Sequence, residues 1–341
     1  STYNSQARPE EIQTAACTQI ALGTQFGVHI SPLIGSLVIS TSACRLRSAL
    51  IIPQPVRHLI GQHIRQMTGS TQSLDNFKQP LGDPGLLGPA SMPWRVHAHF
   101  ISMMVGGLSS LMLQALHPRA LAAVWDHSNF RHDLKARLGR TAYFVAITTY
   151  GPSELALKSI ERVNQIHANV RGSMPDGSAY VANEPELLRW VHLGEVTSFL
   201  RAYQSFSLNP LDHSEEDRYL AEMTLIGKHL GIEDLPQTKQ ASEQALLAFL
   251  PDLRFDHRTA EIIRVIENYP SSLWDRPLIK LVIQAAFDEL PDWALAMLGR
   301  TPSSPLRKQA VCHALRLVGL PLQSALDKEG VAAFSRQRMA L

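Results

Sequence analysis

From residue 94 onward no segment of the chain sustains a strict polar–apolar alternation. Long apolar runs at helical period are instead separated by short, densely polar junctions. A chain patterned this way has no sheet to build on and is expected to fold as an all-α bundle. The run 94–116 is apolar nearly all round, which places it at the centre of such a bundle. Gly106 and Gly107 sit in its middle, where each costs about 1 kcal/mol relative to alanine. That cost implies close approach of something to the helix, either a second helix or a ligand. The run closes at His117-Pro118, because proline disfavours helical geometry in the residue before it.

Further helices are expected over 56–67, 119–125, 134–150, 154–171, 184–206, 214–230, 238–249, 257–267, 277–289, 291–298 and 307–325. Gly172 is expected as the glycine just past the fourth of these. Residues 68–93 are rich in Gly, Pro, Asp and Ser and read as a surface connection or lid. At 341 residues the chain can bury a large core in one or two domains. The organisation expected is a variable N-terminal segment and linker over 1–85, a core over 86–250 and C-terminal helices over 251–341 packed on that core.

Composition excludes several classes. A net charge of +2, with Lys and Arg dispersed, carries no nucleic-acid footprint. Cys17, Cys44 and Cys312 form no CxxC pair, which argues against a disulfide framework and fits a reducing, cytoplasmic compartment. No secretory leader pattern opens the sequence. Residues 12–44 carry no Asp, Glu, Lys or Arg, yet Gln19, Gln25, His29 and Pro32 dilute the run below what a spanning helix needs. They read as buried or partner-facing, with membrane contact the less favoured option. No dinucleotide glycine loop, phosphate-binding loop or nucleophile elbow is present.

The stretch 89–172 holds six of the fourteen histidines, an unusual density for apolar helices. Steps of three and four put His167 on a stripe with Ile160 and Val163, an inward-facing position. A neutral imidazole there suits a haem iron. A core histidine satisfied by one hydrogen bond is the plainer reading, and spacing alone favours it. His192 shares a face with Leu188, Val196, Phe199 and Tyr203 on a later helix, so the two histidines could belong to one site or simply pack. Arg137, Arg140 and Thr141 share a face at the start of their helix. Cations there oppose the helix dipole, which suggests a local anion. The pairs His97/His99 and His127/His132 lack the spacing of a catalytic zinc site.

Taken in order, GPASMPWRVH, a GG followed by LMLQALHP, HSNFRHD, RLGRT, RVNQIHANVRG, and YVANEPELLRWVH with SFLRAY resemble the MpaB-type oxygenase family, which includes the rubber oxygenases called latex clearing proteins. The resemblance runs from about residue 88 to residue 230. It implies a globin-like helical core around a buried haem b, and oxidative cleavage of a carbon–carbon double bond with dioxygen. By position, His167 would be the iron ligand, and Arg137 and Thr141 match the distal Arg and Thr of the rubber enzymes. Arg140 stands where those enzymes carry a Lys, and a guanidinium is a poor iron ligand because it stays protonated. His192, Gly106, Gly107 and His117 join the cofactor-binding candidates. The expected substrate is an apolar unsaturated molecule, isoprenoid- or lipid-like. The rival expectation is a helical protein that binds haem or an apolar ligand without turnover, as carrier, sensor or scaffold.

Overall fold

The structure, a computed structural model, describes residues 52–69 and 73–339. They belong to one compact unit spanning Leu50–Leu341. The chain runs through α1 (Gln54–Thr68), a 3-10 turn (Leu74–Phe77), α2 (Met92–His97), α3 (Phe100–Gln114), α4 (Pro118–His127), α5 (Leu134–Tyr150) and α6 (Ser153–Asn169). A two-stranded hairpin follows, β1 (Arg171–Ser173) with β2 (Ala179–Val181), then α7 (Pro185–Phe206), α8 (His213–His229) and α9 (Lys239–Ala248). The C-terminal part holds α10 (His257–Glu267), α11 (Arg276–Asp288), α12 (Asp292–Met297), α13 (Pro305–Glu329) and α14 (Val331–Met339). The architecture is mostly helical. The 12–44 stretch lies outside the described residues.

The centre is the antiparallel pair α3 and α7. Trp190 Nε1 donates to the Gln114 carbonyl at 3.3 Å, and Ser102 Oγ donates to the Ala202 carbonyl at 3.1 Å, fixing the register from both ends. Midway, a Cβ on Gly106 would lie 2.9 Å from the Ser198 carbonyl oxygen, so the bare glycine backbone is what lets the two helices touch. Val105, Met112, Leu113 and Leu193 are fully or almost fully buried there, each contributing about 1.5–3 kcal/mol by leaving water. α11 and α13 pack on α3, and α1 packs on α13 and α5.

Three expectations are corrected. The single helix over 94–116 is two helices, α2 and α3, because the His99 ring accepts from Ser102 N at 3.3 Å and acts as a helix N-cap in mid-run. A sheet does exist: Arg171 pairs with Val181 and Ser173 with Ala179, around a turn in which Ser178 N donates to Asp176 at 2.9 Å. Its strands are three residues long, too short to register as an alternation. Gly172 is therefore not a helix-ending glycine; α6 stops at Asn169, and a Cβ on Gly172 would lie 2.5 Å from the Tyr180 hydroxyl.

Among the described residues no single helix is long and apolar enough to cross a membrane. The pair α3 and α4 reaches the length together, but is bent by 105°.

Candidate active site

α6 carries a stripe of Ala156, Ile160, Val163 and His167. Ala156 and Ile160 are buried, whereas Val163 and His167 at the C-terminal end are half-buried. The Nδ1 of His167 is shielded from solvent and has no hydrogen-bond partner among the described residues. Burial holds this imidazole below the ordinary histidine range. Desolvation disfavours the charged form, so the ring is neutral at neutral pH.

α5 begins at the N-cap Asp133, whose carboxylate accepts from Ala136 N at 3.0 Å. One turn in, Arg137 is half-buried, and burial followed by the adjacent Arg140 charge pushes its guanidinium below the usual range. Among the described residues no carboxylate comes within ion-pair distance of Arg137 or Arg140. Lys135, by contrast, lies close enough to Asp275 for its charge to be felt there. Arg140 and Thr141 are exposed, and Thr141 Oγ1 donates back to the Arg137 carbonyl at 3.3 Å. The start of α5 is a doubly cationic surface without a counter-ion among the described residues.

Thr141 also lines a cavity of about 310 Å³. Its walls are mainly apolar: Met103 and Gly107 of α3, Val145 of α5, Phe199 of α7, and residues of α1, α11 and α13. Of its polar wall residues, which also include Arg65, Gln323, Asp327, Glu329 and Arg336, His97 is fully occupied, with Nδ1 2.8 Å from Thr149 Oγ1 and Nε2 3.1 Å from the Tyr219 hydroxyl. Burial pushes His97 down to about 3, so it stays neutral. The enclosure suits a hydrophobic ligand.

The family model described as "ER-bound oxygenase mpaB/B'/Rubber oxygenase, catalytic domain" matches residues 94–319, which includes every candidate residue above. The chain belongs to this family. Comparison with curated proteins and with solved structures gives no match. As a member of the MpaB/rubber oxygenase family, the chain carries an oxygenase catalytic domain.

The remaining candidates fall in different places. Gly106 is filled against α7, as described, while Gly107 sits on the cavity wall with Phe199 3.8 Å from where its Cβ would be. His117 caps α4 through Ala120 N at 3.5 Å and packs between Trp190 and Phe249, in the hydrophobic core. His192 is buried against Gly227 of α8 and is pushed down to about 4 by desolvation. His167, Arg137, Arg140 and His192 do not line this cavity.

Sequence reasoning missed Glu195. It lies one turn beyond His192 and one turn before Phe199 on α7 and is half-buried. Among the described residues it has no hydrogen-bond partner, and burial raises its carboxyl to about 7. The available signal was a lone carboxylate on the otherwise apolar face of His192, Val196 and Phe199.

Proposed function

We propose that this oxygenase-family chain is haem b-dependent, with His167 as the iron ligand and an apolar unsaturated, isoprenoid- or lipid-like molecule as substrate. The observation that carries the reading is the His167 ring: neutral, half-buried at the end of an apolar stripe, with a buried nitrogen that has no partner among the described residues. A neutral imidazole with free lone-pair capacity is the donor that iron in a porphyrin requires. Arg137 would suit the same group, because a partly buried guanidinium with no carboxylate partner among the described residues suits a propionate. When bound, the haem supplies the dioxygen chemistry.

The chain's own residues hold the reactants. Thr141 stands at the junction of the cationic start of α5 and the apolar cavity, so its hydroxyl can meet a polar atom of the substrate or oxidant at that boundary. Arg140 keeps positive charge beside it and can stabilise charge developing on oxygen. Met103, Val145 and Phe199 exclude water and orient an apolar chain. Oxidative cleavage of a carbon–carbon double bond is the reaction this combination suits best.

Spectroscopy on purified protein tests the reading. Haem-replete expression should give a Soret band that His167→Ala abolishes or shifts, and oxygen uptake should rise with a panel of unsaturated lipids. Absence of any chromophore after haem-replete expression overturns it.

A further inference from the structure

Trp274 is 92% exposed and its neighbour Leu273 is 77% exposed. Together they form the tip of the turn between α10 and α11. Scattered single apolar residues are ordinary on a protein surface, but an adjacent Leu–Trp pair standing in water marks a contact site. The turn is firmly seated. Ser272 Oγ donates to Asp275 Oδ2 at 2.7 Å, and Asp275 Oδ1 lies 2.7 Å from His63 Nε2 of α1. His63 in turn ends a stripe with Val56 and Leu59, set by steps of three and four, and Leu59 is 63% exposed. The tip therefore stands beside an exposed apolar helix face.

Basic residues outnumber acidic ones around this face. α1 carries Arg57 and Arg65 and no Asp or Glu, and the first turns of α11 add exposed Arg276 and Lys280. The neighbouring acids are engaged: Asp275 by Ser272 and His63, and Glu329 with His58 at 3.8 Å. The face also adjoins the apolar cavity. Tyr269 and Ile279, on either side of the turn, line that cavity together with Gly61 and Ile64 of α1.

We propose that this face docks on an anionic lipid bilayer, with Leu273 and Trp274 inserted at headgroup depth and Arg276 and Lys280 on lipid phosphates. Trp is favoured at that depth because its ring is apolar and its N–H polar. Basic residues at the rim add attraction to an anionic leaflet. A second copy of this chain fits less well, since a two-fold contact through the same patch would set cations against cations. Docked in this pose, the cavity lies next to the headgroup layer, which shortens the path of an apolar ligand from the bilayer. That delivery step rests on the oxygenase reading; the docking does not.

Flotation of the full chain with phosphatidylcholine vesicles, with and without phosphatidylserine, tests the proposal. Binding is expected with the anionic vesicles and should weaken with phosphatidylcholine alone and with added salt. Leu273→Ser with Trp274→Ser should lower partitioning about tenfold or more, while Leu247→Ser, an exposed leucine on α9, should not. Both sites are exposed, so circular dichroism should show all variants folded. The proposal is overturned if the parent chain does not float, or if the double variant floats equally well. It is also overturned if the parent is a dimer that the double variant separates, which would give the face to a second copy. No haem or turnover enters the assay, so its failure leaves the oxygenase reading intact, and an absent Soret band leaves the docking intact.

Discussion

A Cβ on Gly106 would lie 2.9 Å from the Ser198 carbonyl and 3.0 Å from the Phe199 Cα, whereas one on Gly107 would meet Phe199 Cε1 at 3.8 Å. Two adjacent glycines thus have opposite reasons for existing. Gly106→Ala must push α3 off α7 and is expected to cost about 1–3 kcal/mol by overpacking, more than its propensity gain returns. Gly107→Ala meets only ordinary contact, so it should be neutral or stabilise by up to about 1 kcal/mol. Urea unfolding of both variants checks the pair; equal midpoints would refute the close-packing account of Gly106.

The helix pattern was legible in the sequence where the apolar stripe was long and the ends were marked. Leu134–Tyr150 and His257–Glu267 match their expected bounds to the residue, the former opened by Asp133 and closed by Gly151, the latter opened by Asp256. The break at His99 was not legible, since a histidine can cap a helix or continue one and only its ring geometry decides. At the candidate site, burial and lack of partners depend on neighbours distant in sequence. His117 and His167 look alike as single letters, yet one ring is spent on a cap and the core while the other has an unpartnered nitrogen. Glu195 was hidden for the same reason: its neighbour Tyr219 is contributed by another helix.

Glu195 should leave a signature in the pH dependence of stability. Burial raises its carboxyl from 4.5 to about 7, so between those values the folded state binds a proton that the unfolded chain has released. Its contribution is therefore full below pH 4.5 and lost as pH rises toward 7. Glu195→Gln removes the titration. The stability of the variant relative to the parent should climb across that window by about 1–3 kcal/mol and level off above it. Chemical denaturation at several pH values measures this, and a difference independent of pH would contradict a buried neutral carboxyl.

His192 should act on the acid side with the opposite slope. Burial lowers it from 6.5 to about 4, so as pH falls through that interval the unfolded chain gains a proton that the folded state refuses. Stability is expected to decline there by roughly 1.4 kcal/mol per pH unit at most from this residue. His97, pushed down to about 3, adds to the same acid slope. In His192→Leu the slope should shrink but persist, because the His97 share remains. Thermal unfolding between pH 4 and 7 separates the two, and an unchanged slope would mean that His192 is charged in the fold.

Arg137 separates a structural from a ligand-directed role. A partly buried guanidinium with no carboxylate partner among the described residues lost solvation on folding and received no ion pair from them in return. Replacing it with methionine keeps much of the aliphatic stem and removes the desolvated charge and its repulsion with Arg140. The apo protein of Arg137→Met should therefore be as stable as the parent, or more stable by about 1 kcal/mol. If the guanidinium serves a bound propionate, the same variant should retain less haem, losing a charge-assisted contact of about 1.5–3 kcal/mol and so about ten- to a hundredfold in affinity. Unfolding of the apo protein and haem titration by absorbance read the two effects independently. Destabilised apo protein with unchanged haem affinity would show that Arg137 holds the fold and not a ligand.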